Sequence, residues 1–339
     1  KNKDGSYTKT STAKAGKTFT YCTCTECNGK WEQNVAVICN SSGVQTGPYP
    51  SLQDAVEAYT PDNSTPPKNY IKLLHDTTEN ITAPSDIYLD LNGYTVTGNF
   101  NFKINGKTLY GMDNTTDDYV GTNAGKIVGS VAPYAKTFYQ TPKVPVNGVD
   151  TYNRYVAIPG KEADGKANLS FHRFNISVTG YRFELAAPEC ALFFIGKFQG
   201  DDAAKAHLTS LGFTLTDIDN KKQNYICTIT GKDILDMPAE GDESTSEVVR
   251  DVDGAYLFEA YLKRNIDKKN TDTYTKKFSA IAKATFGSSG APEDNSLSSD
   301  ERKLSFQEAW TDPDMNIAPD QQAILDNFLK DLDITNQTE

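Results

Sequence analysis

Four cysteines crowd the start of the chain, Cys22, Cys24, Cys27 and Cys39, in the spacing C-x-C-x2-C-x11-C. Four thiolates so close together can wrap a tetrahedral Zn²⁺, and a small polar segment with little core gains its fold from such a staple. The same residues also satisfy two disulfides in an oxidising compartment. Spacing leaves both chemistries open: disulfides suit an extracellular, aerobic chain and zinc suits one that lives without oxygen. Either role is structural. Cys190 and Cys227 fall in apolar runs further on, where a disulfide between two sheets and a pair of buried thiols are equally compatible with the pattern.

Other chemistry is thinly provisioned. The histidines are His75, His172 and His207. His172, in SFHRF beside Arg173, reads as a packed strand residue, because no nucleophile motif accompanies it. Asp117 and Asp118 bring to mind the paired carboxylates of glycoside hydrolysis. The Gly-His-Gly, Arg-x-Lys and Arg-plus-Asp sets of pectin-active enzymes are missing from the sequence, so a solvated loop is expected there. Acidic stretches such as GDESTSE, DVDG, EDNSLSSDE and TDPDMN offer oxygen ligands for Ca²⁺, but none matches the D-x-[DN]-x-[DN]-G-x5-E loop. Trp31, Trp310, Tyr119, Tyr134 and Tyr139 could stack on sugars, although aromatics in β proteins more often pack. N-x-[ST] triplets at Asn40, Asn63, Asn80, Asn114, Asn168, Asn175 and Asn336 are expected by chance in a chain so rich in Asn, Ser and Thr.

Composition narrows the partners. The 339 residues carry 34 Lys and Arg against 45 Asp and Glu, a formal charge of −11. Phosphate binding needs a concentrated positive field, so a nucleic-acid partner is disfavoured. Membrane insertion is disfavoured too, since no run approaches the ~18 apolar residues of a spanning helix. The charge is uneven: lysines dominate 1–17, whereas acids dominate 233–259 and 290–339. Opposite ends of opposite sign favour head-to-tail contact between copies. The Lys1 start fits a chain trimmed after secretion or excised from a larger one.

These residues need elements to position them. Thr18 to Cys22 and Val35 to Cys39 alternate like strands of a small Cys-rich ribbon or arm, over 1–46. Ser51 opens SLQDAVEAY with Asp54 three residues on, predicting a capped helix that buries Leu52, Ala55, Val56 and Tyr59. From Tyr70 short β-type runs follow, with Leu73, Ile87, Leu89, Leu91, Val96, Phe100, Phe102, Ile104 and Leu109 as inward candidates and turns at Asn92-Gly93 and Asn105-Gly106. A helix-capped parallel stack over 47–150 and an antiparallel meander both fit. The second unit, 151–290, reads as longer strands around Phe171 to Val178, Tyr181 to Leu185, Ala191 to Ile195, Tyr225 to Ile229, Ala255 to Leu262 and Phe278 to Phe286, with Asp201-Asp202 capping a short helix, AAKAHLTSLG, that ends at Gly212. An acidic segment, 291–339, closes on a terminal helix over 319–332.

The run IKLLHDTTENITAPSDIYLDLNGYTVTG, preceded by SLQDAVEAY, resembles the opening of right-handed β-helix regions in large secreted or surface proteins of gut-dwelling Gram-positive (Firmicutes-type) bacteria; the likeness covers roughly 50–130. LSFHRFNISVTGYRFEL and ALFFIGKFQGDDAAKAHLTSLGFTL, roughly 165–290, resemble the Ig-like β-sandwich that follows in such proteins. The resemblance implies a mainly β fold: a short right-handed parallel β-helix, then an Ig-like β-sandwich, with few short helices. This chain has fewer coils than a long enzymatic β-helix. Because such folds host many roles, function must be argued from sites. The expectation is a non-enzymatic extracellular, cell-surface structural protein, a filament or appendage subunit joining copies of itself, with a host- or dietary-glycan-binding adhesin as the alternative and a polysaccharide-active enzyme third.

Overall fold

The computed structural model describes residues 8–14, 17–23, 30–32, 34–40, 43–62, 64, 68–114, 125–131, 133–135, 137–146, 149–186, 189–217, 221–230, 233–234, 247–252, 254–265, 272–287, 296–312, 319 and 323; in some strands among these only the backbone is described. The fold is mainly β with a few short helices. It divides into two compact units, Lys1–Phe174 with Gly200–Lys205, and Asn175–Gln199 with Ala206–Glu339. The change of unit after Phe174 comes later than the change of sequence texture near residue 150. Among the described residues no helix is long and apolar enough to cross a membrane.

In the first unit, β1 (Thr8–Lys14), β2 (Lys17–Thr23) and β3 (Lys30–Glu32) form an antiparallel three-stranded sheet. A separate sheet begins with β4 (Ala36–Asn40), which pairs antiparallel with β5 (Gly43–Tyr49) and with β6 (Tyr70–Leu73). Helix α1 (Leu52–Ala58) lies between β5 and β6 in sequence. Its cap is Ser51, whose hydroxyl accepts the Asp54 amide at 3.0 Å, and it buries Leu52, Ala55 and Val56.

From β6 onward the chain repeats. β6, β7 (Thr77–Thr78) and β8 (Ile81–Ala83) are followed by β9 (Ile87–Asp90), β10 (Thr95–Thr97) and β11 (Phe100–Phe102), then by β12 (Leu109–Met112) and β13 (Lys126–Val128). Counterparts pair in parallel: β6 with β9 and β9 with β12, β7 with β10 and β10 with β13, and β8 with β11. The register stacks Ile71 on Leu89, Val96 on Ile127 and Ile81 on Phe100. With Leu73, Ile87 and Leu109 these fill one buried core against Ala36, Ile38, Leu52 and Val56. Full burial of each such aliphatic side chain contributes about 1.5–3 kcal/mol. The Asn-Gly pairs therefore turn corners between parallel strands and close no hairpin. Asn92 and Gly93 take φ of 49° and 78° there. Ile104 is a correction: it is 52% exposed, because Lys103 to Gly106 form a turn outside the stacked strands.

The stack leaves backbone groups to satisfy at its corners and its edge. Gln53 of α1 meets the free side of β8, its Oε1 accepting the Thr82 amide at 2.8 Å while its Nε2 donates to the Thr82 carbonyl at 3.2 Å. Glu79 accepts the Leu52 and Gln53 amides at 2.8 and 3.0 Å, holding the helix start. Side chains of one turn of chain accept amides of the next: Asp76 from Thr95 at 2.8 Å, Asn80 from Asn99 at 2.9 Å and Asn99 from Ser130 at 2.8 Å. Beyond the stack, β14 (Thr137–Val146), β15 (Val149–Lys161) and the first part of β16 (Ala167–Ala186) pair antiparallel, and β16 also borders β13.

In the second unit the rest of β16 joins β17 (Glu189–Gly200) in a sheet with β22 (Ala255–Asn265) and β21 (Glu247–Val252). The short helix α2 (Asp202–His207), which belongs to the first unit as far as Lys205, then leads into β18 (Leu208–Thr216). The helix expected to reach Gly212 thus stops at His207; Leu208, Leu211, Phe213 and Leu215 are buried as strand residues between β19 (Lys222–Thr230) and β23 (Phe278–Phe286). β20 (Asp233–Ile234) pairs with β19, while β24 (Ser296–Ser298) and β25 (Arg302–Leu304) pair with β23. Rings of the two sheets meet, Phe213 with Phe258 at 5.0 Å and Phe198 with Phe286 at 6.1 Å. Helices α3 (Asp272–Thr275) and α4 (Phe306–Thr311) pack Tyr274, Phe306 and Trp310 beside Phe183 and Phe278. The expected terminal helix lies outside the described residues apart from Pro319 and Ala323, both helical.

Candidate functional site

Strand alternation puts Asn168, Ser170 and His172 of β16 on one face, while Leu169 and Phe171 point into the core of the first unit. Across that face Lys126 of β13 lies directly opposite Ser170, and Ile158 of β15 flanks it on the other side. His172 is buried, and its Nδ1 stands 2.6 Å from Oδ2 of Asp201 while its Nε2 stands 2.9 Å from the Ser170 hydroxyl. Asp201 is itself buried and fixed from behind, since its Oδ1 accepts the Ala204 amide at 2.7 Å at the start of α2. A carboxylate only accepts, so Nδ1 of a neutral His172 carries the proton and Nε2 is left to accept the serine O–H. A serine, a histidine and an aspartate thus stand in a hydrogen-bonded line.

Beside them Lys126 Nζ reaches the Glu162 carboxylate at 2.7 and 2.8 Å, and Asn168 Nδ2 reaches the same Oε1 at 2.7 Å. These bonds hold the Glu162 carboxyl below the usual range, with the Lys126 bond the largest cause. Gly160 faces Asn168 in the register, and a Cβ there would lie 2.5 Å from Asn168 Oδ1, so the glycine makes room for the carboxamide.

The other buried polar cluster is spent internally. Asp90 Oδ1 accepts the Asn92 and Asn114 amides, both at 3.0 Å, and Oδ2 accepts Asn114 Nδ2 at 2.9 Å. Asn114 Oδ1 accepts the Tyr155 hydroxyl in turn. Burial pushes the Asp90 carboxyl up to about 6 against these bonds. Asp113 accepts the Gly93 amide at 2.9 Å and the Gly125 amide. Both carboxylates tie corners of the stack.

The sequence candidates fare unequally. Cys39 is a free, buried thiol in β4, and burial raises its pKa, which opposes the thiolate that zinc requires. Cys22 lies on β2, in a different sheet, with only its backbone described; Cys24 and Cys27 lie outside the described residues. Among the described residues no group of three or more His, Cys, Asp or Glu is placed to hold a metal ion. Cys190 is buried, while the Cys227 side chain, Asp117, Asp118 and Tyr119 lie outside the described residues, as do the side chains of Trp31 and Tyr139. Trp310 packs, as aromatics in β proteins more often do: it is buried against Tyr274 and Phe183 and offers no face to a sugar. Tyr134 is half-buried against the core. An aromatic pair that sequence reading passed over, Tyr88 and Tyr110, stacks at 4.5 Å and 5°, each ring taking a face of the other. His75 packs by Tyr94 at 5.9 Å, and the His207 carbonyl accepts the Gly287 amide.

The Ser170 to His172 spacing was available in the sequence as an i, i+2 pair on one strand face. Asp201 was not, because only tertiary folding brings it across. No family model, curated protein or solved structure matches this chain.

Proposed function

We propose that this chain is an extracellular structural protein, a surface or appendage subunit that joins copies of itself, built from a short right-handed parallel β-helix and an Ig-like β-sandwich. The observation that carries this reading is the stack itself. Turns of chain lie in parallel register, and the corner side chains are consumed by bonds to the next turn, with α1 laid along the first edge. Such an arrangement suits a load-bearing spacer, since each turn is held by many backbone bonds and a few buried acceptors. Supporting the assembly part are the lysine-rich start and the acid-rich end of the sequence, together with its likeness to surface proteins of gut Gram-positive bacteria. A glycan-binding role draws no support from Trp310, which is buried, and the Tyr88 and Tyr110 rings each give one face to the other.

Sedimentation velocity over a range of concentration and ionic strength tests this. Species larger than one chain at low salt, shrinking as salt rises above the ~0.1 M that screens charges beyond ~10 Å, are expected. A single monomeric boundary under all conditions rejects the self-assembly.

A further inference from the structure

We propose that Ser170 is a nucleophile for acyl transfer from small carboxylic esters, with His172 as its base, Asp201 as the residue that orients the base, and Lys126 and Asn168 as donors to the developing oxyanion. This goes beyond the structural role, since assembly requires no reaction at Ser170.

A serine acts as a nucleophile when a neutral imidazole nitrogen accepts its proton and a buried carboxylate holds the other ring nitrogen in the correct tautomer. Both contacts are present at 2.9 and 2.6 Å, and the carboxylate is anchored by a backbone amide. The serine is half-buried rather than sealed. Its rival acceptor, the Ile158 carbonyl, stands at 3.4 Å, a poorer bond than the imidazole offers. An acyl reaction also needs donors where negative charge develops. Lys126 Nζ and Asn168 Nδ2, on residues next to Ser170 on the same face, already converge at 2.7 Å on one anionic oxygen of Glu162. Glu162 takes two of the three N–H groups of the Lys126 ammonium and one of the two of the Asn168 carboxamide, which leaves one donor on each for a substrate oxygen.

In the step, Ser170 Oγ bonds the ester carbonyl carbon while its proton passes to His172 Nε2, and the carbonyl oxygen becomes the oxyanion. Collapse breaks the bond to the alkoxy oxygen, which leaves as the alcohol with the proton returned by His172. Water then attacks the acyl-serine by the same route, releasing the carboxylic acid and restoring the hydroxyl. No oxidant, metal or cofactor enters the balance.

The probe is an alkyl fluorophosphonate, which phosphonylates activated serines with loss of fluoride, read by intact mass and by peptide mapping. p-Nitrophenyl acetate hydrolysis provides the turnover readout. The expected result is one adduct, on Ser170, absent in Ser170→Ala. Asp201→Asn keeps an oxygen for the Ala204 amide but presents N–H to His172 Nδ1, which places the ring proton on Nε2. With its near-UV circular dichroism and melting temperature intact, that variant should label at least ~100-fold more slowly, the scale on which a misdirected general base fails. Lys126→Ala should slow acetate release about tenfold or more. An unlabelled wild-type chain, an adduct on another serine, or an undiminished rate in folded Asp201→Asn overturns the proposal. If Asp201→Asn does not fold, the wild-type adduct and its loss in Ser170→Ala decide alone. None of these readouts moves with oligomeric state, so failure here is distinct from failure of the assembly.

Discussion

The two units satisfy their backbones in opposite ways. The second does it with length: β17 and β22 run beside each other from Glu189 to Gln199, and β18 pairs on both sides, so amides and carbonyls find partners within the ladders. Its core is then free to be aromatic, with Phe194, Phe198, Phe213, Phe258, Phe278 and Phe306 fully buried. The stack of the first unit turns after every two to four residues, from β6 to β13. Each corner leaves amides without a ladder partner, and side chains must supply one: Asp76, Asn80, Asp86, Asp90, Asn99 and Asp113 do so. Its aliphatic core is small-stepped, and two buried carboxylates are the cost of the architecture. Long antiparallel strands thus buy freedom in the core, whereas short parallel ones commit polar residues to it.

The largest expected effect lies in the aromatic unit. Phe258→Ala removes a ring that contacts Phe213 at 5.0 Å, and should cost about 3–5 kcal/mol by urea unfolding followed by amide exchange in β17, β18 and β22. The corresponding weak point of the stack is backbone rather than side chain. Gly129 has a φ of 151°, and a Cβ there would stand 2.1 Å from the Gly98 carbonyl oxygen of the preceding turn. Gly129→Ala should cost about 3 kcal/mol, lost from the exchange protection of β10 and β13. Gly106→Ala serves as the control. It shares a positive φ of 82° but meets nothing within 4 Å, so only about 1 kcal/mol is expected. Equal losses at both glycines would break the claim that stacking, and not the turn, is the constraint.

Next is a pH effect confined to the stack. The Asp90 carboxyl sits at about 6, above its ordinary value of 3.8, because burial disfavours the charge. A folded pKa above the unfolded one means that the native state binds the proton more tightly. The penalty is therefore fully present above pH 6 and fades as pH falls through 6 towards 4. A shift of about two units corresponds to on the order of 2–3 kcal/mol. Urea midpoints of the first unit should rise over that interval in the wild type and stay flatter in Asp90→Asn. The smallest effect is expected for Lys107→Ala, whose ion pair with Asp86 at 3.3 Å is about one-third exposed on both sides; ~0.5 kcal/mol or less is expected from thermal melts.

Much of this was legible where a local rule governs. The Ser51 cap and the buried face of α1 follow from spacing alone, as do the inward Leu73, Leu89, Val96 and Leu109. Ile104 misled because period two continues past Phe102 in sequence while the strand does not. The helix expected to reach Gly212 misled because apolar residues from Leu208 onward suit either period, and pairing on both flanks chose the strand. At the candidate site, alternation places Ser170 with His172, but Asp201 and Lys126 arrive through register and chain return. Corner acceptors such as Asp90 look like ordinary turn residues until the next turn of chain is laid on them.

Negative-stain imaging of the chain at low and high salt, over a range of concentrations, tests the structural role most directly. Rows of copies joined end to end at low salt, dispersing as salt rises, are the expected result. Single particles at every concentration and ionic strength would contradict it.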